Sequence, residues 1–121
     1  MATVRYIVRD VGEAAAFYTG TLGFELKQQF GPAIAILQRE DLTLWVAGPM
    51  ASASRPMPDG RKPEPGSWNR FVIEVEDLSA MVTTLRAKGA RFRNEIVEGP
   101  GGKQILCEDP SGNVIELFQP A

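Results

Sequence analysis

The chain has 121 residues, a one-domain length, and 44% of them are hydrophobic, an ordinary share for a globular protein. Lys and Arg number 13 against 15 Asp and Glu, a formal charge of −2 with both signs interspersed, which argues against nucleic acid or an anionic membrane as partner. There is no histidine and one cysteine, Cys107, so Ser-His-Asp and Cys-His catalysis and any internal disulfide are excluded, and the cysteine usage fits a reducing cytoplasm.

The opening residues MATVRYIVRDV carry an arginine inside their apolar run and no small-residue cleavage site, so they do not read as a signal peptide. Val4 to Val8 alternates as a strand and leads to Asp10, a residue suited to capping a helix. Val11, Ala14, Ala15, Tyr18 and Leu22 then fall at helical spacing, and Asp10 with Glu13 three residues later resembles a capping box. Gly23 lies where that helix should stop. Strands are predicted at Phe24–Phe30, Pro32–Gln38 and Leu42–Ala47.

Gly48 to Ser67 holds five of the nine prolines, so it is neither a central strand nor an ordinary helix. It reads as a connector. Alternatively, Met50, Met57 and the flanking Trp68 make it a rim over a pocket.

The second half then repeats the first. Phe71 to Val75 alternates as a strand, Asp77 is placed to cap, and Leu78, Met81, Val82 and Leu85 keep helical spacing up to Gly89. Strands are predicted at Arg91–Val97, Lys103–Glu108 and Asn113–Gln119. Gly99-Pro100-Gly101-Gly102-Lys103 superficially resembles a phosphate loop, but it precedes a strand and is better read as a hairpin turn. Cys107 has no histidine partner and reads as a buried structural thiol. Asp109-Pro110-Ser111-Gly112 is a type I turn signature, and the strand after it sets Glu116 on the face opposite Ile115 and Leu117. The whole is a single domain, 1–121, made of two βαβββ modules (2–48 and 68–119) joined by 49–67.

The opening RYIVRDVGEAAAFYTGTLGFEL and the ending EDPSGNVIELFQP resemble the vicinal oxygen chelate superfamily, which includes glyoxalase I, extradiol dioxygenases, fosfomycin-resistance thiol transferases and bleomycin-resistance proteins. The resemblance covers nearly the whole chain. It implies an α+β fold: two βαβββ modules forming a cavity-enclosing, incompletely closed eight-stranded barrel with the helices outside. It also implies a homodimer. Carried onto this chain, the metal-ligand positions of the superfamily fall at Thr3, Arg70 and Glu116. Threonine is a poor ligand and a guanidinium has no lone pair, so no metal and no cofactor are expected, and Arg70 is expected to neutralise Glu116 instead. An oxygen-only Mg²⁺ site using Glu116 and Glu74 is the remaining metal alternative.

Strand parity turns Arg5, Trp45, Arg70, Glu74, Glu116 and Phe118 towards the cavity, with Trp68 at its rim; Thr3, Ile7, Val72 and Val114 share those faces. Aromatic surfaces with sparse charges suit a planar, partly polar organic ligand. The expected function is therefore non-catalytic: a cytoplasmic, bleomycin-resistance-like protein with no catalytic residues, sequestering an aromatic or glycopeptide-like antibiotic or natural product. Its ligand contacts are Trp45, Trp68, Arg5, Arg70, Glu74, Glu116 and Phe118. The alternatives are a glyoxalase-like lyase, isomerase or thiol transferase with a displaced site, and an architectural protein whose cavity is filled by its own side chains.

Overall fold

The computed structural model describes residues 2–121, which fall into two compact units, one ending at Gly66 and one running from Ser67 to Ala121. In the first, β1 (Thr3–Ile7) leads into α1 (Val11–Gly20), followed by β2 (Glu25–Phe30), β3 (Ile34–Arg39) and β4 (Leu42–Ala47). The sheet order is β1-β4-β3-β2, with β1 parallel to β4 and the other pairs antiparallel. Asp10 caps α1 as its position predicts, its Oδ1 accepting from Glu13 N at 2.8 Å. Val11, Ala14, Ala15 and Tyr18 are the buried face of α1. They belong to the same core as Ala35 and Leu37 of β3 and Leu44 and Val46 of β4.

The second unit repeats the plan. Its elements are β5 (Arg70–Glu74), α2 (Leu78–Ala87), β6 (Arg91–Phe92), β7 (Val97–Gly99), β8 (Gly102–Glu108) and β9 (Val114–Pro120). The order is β5-β9-β8-β6, with β7 also paired to β8 and β5 parallel to β9. Asp77 caps α2 by accepting from Ala80 N at 3.0 Å. Leu78, Val82 and Leu85 of α2 are buried, as are Phe71, Ile73, Ile105, Cys107, Ile115 and Leu117 of the sheet. Two mixed sheets, not closed into a barrel, thus carry one helix each, an α+β fold. Among the described residues no helix is long and apolar enough to cross a membrane.

One predicted strand is two. Arg91–Val97 breaks after Phe92 and resumes at Val97, so the described residues form nine strands rather than eight. The cause is side-chain competition with the ladder. Leu106 N donates to the side-chain Oδ1 of Asn94 at 3.0 Å, where a regular strand would offer a backbone carbonyl. The proline-rich segment has one 3-10 turn, Ser52–Ser54, and closes on itself through Met57 N donating to Arg61 O at 2.7 Å. It is therefore more structured than a simple connector.

The Asp109 turn forms as its residues demand. Gly112 N donates to Asp109 O at 3.0 Å, and Gly112 takes φ +86, which glycine adopts without strain. The Asp109 carboxylate is fully buried and accepts from Ser111 N, Asn113 N and Asn113 Nδ2 at 2.9, 2.9 and 3.0 Å. Three donors compensate the desolvation of that charge and set the register between β8 and β9. The predicted hairpin at 99–102 is also present, with Gly99 paired to Gly102. Gly102 has φ +145, and a Cβ there would collide with Gln119 O, so no other residue fits.

Replacing Asp109 by Ala strands those donors, and the expected cost is about 2–4 kcal/mol, read as a lowered urea midpoint. Cys107 is buried, and burial pushes its thiol up to about 12. The thiol is therefore neutral at pH 8, and iodoacetamide is expected to label it in urea but not in the native protein; equal rates in both states would contradict that burial.

Candidate functional site

In each unit the residues opposite the helix-facing set are the ones the strand alternation leaves uncovered. On β1 and β4 the parallel register sets Arg5 against Trp45 and Thr3 against Thr43. The Arg5 guanidinium carbon lies 4.9 Å from the centre of the Trp45 ring. Trp45 is half-buried and so is neither a plain core tryptophan nor a free one. The cation holds one side of the indole, an interaction worth about 0.5–1 kcal/mol at an exposed site.

In the second unit, Arg70 and Glu116 form the expected ion pair. Arg70 Nε donates to Glu116 Oε1 at 3.0 Å and Nη2 lies 2.9 Å from the same oxygen. The contact is two-pronged on one oxygen, not the parallel fork that two oxygens would give. Nη1 of Arg70 donates to Trp68 O at 3.1 Å, tying the start of β5 to the carbonyl two residues before it. The Glu116 side chain retains only 12% of its exposure and that of Arg70 29%, so the pair is partly desolvated. Register places Val72 beside Glu116 and Glu74 beside Phe118. Val72 and Glu74 are exposed and Phe118 is half-buried. Val114, expected on this same face, is buried at the turn end of β9, where it pairs with Glu108.

Sequence reasoning missed Arg93. Its Nε donates to Glu108 Oε2 at 2.7 Å, Nη1 to Ser67 O at 2.8 Å and Nη2 to Gly112 O at 2.9 Å. Its guanidinium carbon lies 4.6 Å from the centre of the Trp68 ring, and Trp68 remains 68% exposed. The result is an indole backed by a pinned, planar cation, its remaining surface open. No signal in the sequence could have found this, since the partners of Arg93 are scattered over residues 67, 108 and 112.

The predicted site residues thus assemble within units: Arg5 with Trp45 in the first; Trp68, Arg70 and Glu116, and Glu74 with Phe118, in the second. The donor set does not fit a metal. Arg70 presents only N–H donors and already occupies Glu116, and among the described residues no three carboxylate or thiol side chains come together to hold an ion. The Glu116–Glu74 alternative therefore lacks a third protein ligand of that kind.

The sequence profile of the Glyoxalase/Bleomycin resistance protein/Dioxygenase superfamily matches residues 1–117. Human mitochondrial methylmalonyl-CoA epimerase is 26% identical over 125 residues, spanning 96% of this chain and 71% of that protein. TnmS3, an antibiotic binding protein from Streptomyces sp. CB03234, is 27% identical with a TM-score of 0.75, covering 98% of this chain and 93% of its own. Lactoylglutathione lyase from Agrobacterium tumefaciens superposes with a TM-score of 0.76 at 19% identity, covering 98% of this chain and 92% of its own, which speaks to fold alone.

A double-mutant cycle on Arg70→Met and Glu116→Gln tests the pair itself. Each single variant is expected to lose more stability than the double, with a coupling of about 1–2 kcal/mol in chemical denaturation. Strict additivity would mean the two side chains are independent in solution.

Proposed function

Because the chain belongs to the Glyoxalase/Bleomycin resistance protein/Dioxygenase superfamily, we propose that it is a non-catalytic binding protein for a planar, partly polar small molecule, an antibiotic or similar natural product. The observation that carries this reading is the Arg70–Glu116 pair. The carboxylate at a metal-ligand position is already neutralised by a group that cannot act as a Lewis acid or exchange ligands. What remains is recognition chemistry on each unit by itself: in the first, the Trp45 indole backed by Arg5; in the second, the Trp68 indole backed by Arg93, with Phe118, Arg70, Glu74 and Glu116 as further ligand contacts. The 27% identity to TnmS3 supports the same reading. Protection would follow mass action, since a drug held on the protein is withdrawn from its target without being altered. A homodimer is part of this proposal, and light scattering of the purified protein tests it.

The resemblance to an epimerase supports a second reading, an isomerase or lyase whose site uses other groups. One experiment separates the two. Tryptophan fluorescence is titrated in EDTA with bleomycin, mitomycin and polycyclic aromatic antibiotics, and the bound compound is recovered for mass and chiral analysis. Saturable quenching with unmodified recovery is expected, and Trp45→Ala should weaken binding by about 1 kcal/mol or more, roughly fivefold. A chemically altered product, or binding only after a divalent metal is restored, would overturn the sequestration reading in favour of the enzyme.

A further inference from the structure

The first unit contains a cavity of about 360 Å³ between the end of β1 and the proline-rich segment, and neither Arg5 nor Trp45 lines it. Ile7, at the end of β1, and Val8 just after it line one side, and Pro49, Pro56, Pro63 and Pro65 of the segment line the other. Its volume lies at the low end of the range that holds small organic ligands. Its walls are pre-formed to an unusual degree for a loop. Each proline fixes its own φ, Ser54 Oγ donates to Gly48 O at 2.7 Å, and Gly48 N donates to Ala33 O at 2.8 Å. Gly48 itself is tightly seated: a Cβ there would meet Val11 Cγ2 at 2.8 Å and Pro32 O at 2.9 Å. Rigid walls reduce the ordering cost that a mobile loop would add to binding.

The charges in the lining have one sign. Arg9 and Lys62 contribute, and no carboxylate does. Glu13 reaches Arg9 from α1 at 3.5 Å, but both side chains are largely exposed, and such a pair holds a cation weakly. Lys62 forms no ion pair among the described residues. An apolar, proline-walled cavity with two cations asks for a ligand of matching design. We propose that this cavity binds a small organic anion, a compact apolar or aromatic body carrying one carboxylate or sulfonate. The apolar body lies among the prolines and the anion is met by Lys62 and Arg9. The site stands apart from the proposed function and does not require it.

Two dyes of the same ring framework test it on the full chain: anilinonaphthalenesulfonate, which is anionic, and phenylnaphthylamine, which is neutral. Saturable fluorescence enhancement is expected with the sulfonate at one site per chain. Lys62→Glu, a change at an exposed position, should weaken the sulfonate at least tenfold and leave the neutral dye within twofold. Lys27→Glu, the same charge change at an exposed lysine outside the lining, should leave both within twofold. The proposal is overturned if Lys62→Glu leaves sulfonate affinity unchanged, or if Lys27→Glu weakens it as much as Lys62→Glu does.

Discussion

Among the described residues each unit has one ten-residue α-helix to lay against its sheet, and a helix covers one face. Strand alternation makes the consequence strict. Residues i, i+2 and i+4 that pack under α1 or α2 form the apolar core, and their neighbours at i+1 and i+3 are turned the other way whatever their chemistry. Arg5, Trp45, Arg70, Glu116 and Phe118 all occupy such positions. Their placement is the unavoidable counterpart of burying Leu44, Val46, Ile73 and Leu117.

Three guanidinium groups do on those faces what no histidine is present to do. Arg5 backs Trp45, Arg93 backs Trp68, and Arg70 closes on Glu116 while holding the carbonyl of Trp68. A guanidinium is planar, permanently charged and rich in directed donors, so it orders an aromatic ring or a carboxylate but cannot accept a proton or bind a cation at neutral pH. On the proposed reading these groups orient and stack a ligand. The register that delivers Glu116 to Arg70 depends in turn on the buried Asp109 turn, which fixes where β9 begins.

Membership of a superfamily that spans lyases, epimerases and antibiotic-binding proteins is compatible with this view, because one scaffold can keep its sheet geometry while the residues on the uncovered faces change. The first unit also carries a proline-walled cavity, made by the segment that follows β4.

The sequence by itself determined what depends on neighbours along the chain. Both helices and their Asp caps, the duplicated plan, the type I turn at Asp109 and the hairpin at Gly102 were legible because capping, turn geometry and periodicity are local. The Arg70–Glu116 pair was also legible, but through a resemblance in which the two positions are already known to face each other. Tertiary structure alone decided the rest. Asn94 interrupts a predicted strand by capturing Leu106, 12 residues away, and Arg93 secures Trp68 through groups on three separate segments. For the proline-rich segment the sequence excludes a helix or central strand and offers a connector or, alternatively, a rim over a pocket. That its prolines wall a cavity with Ile7 and Val8 is a fact of long-range packing, and no period or spacing encodes it.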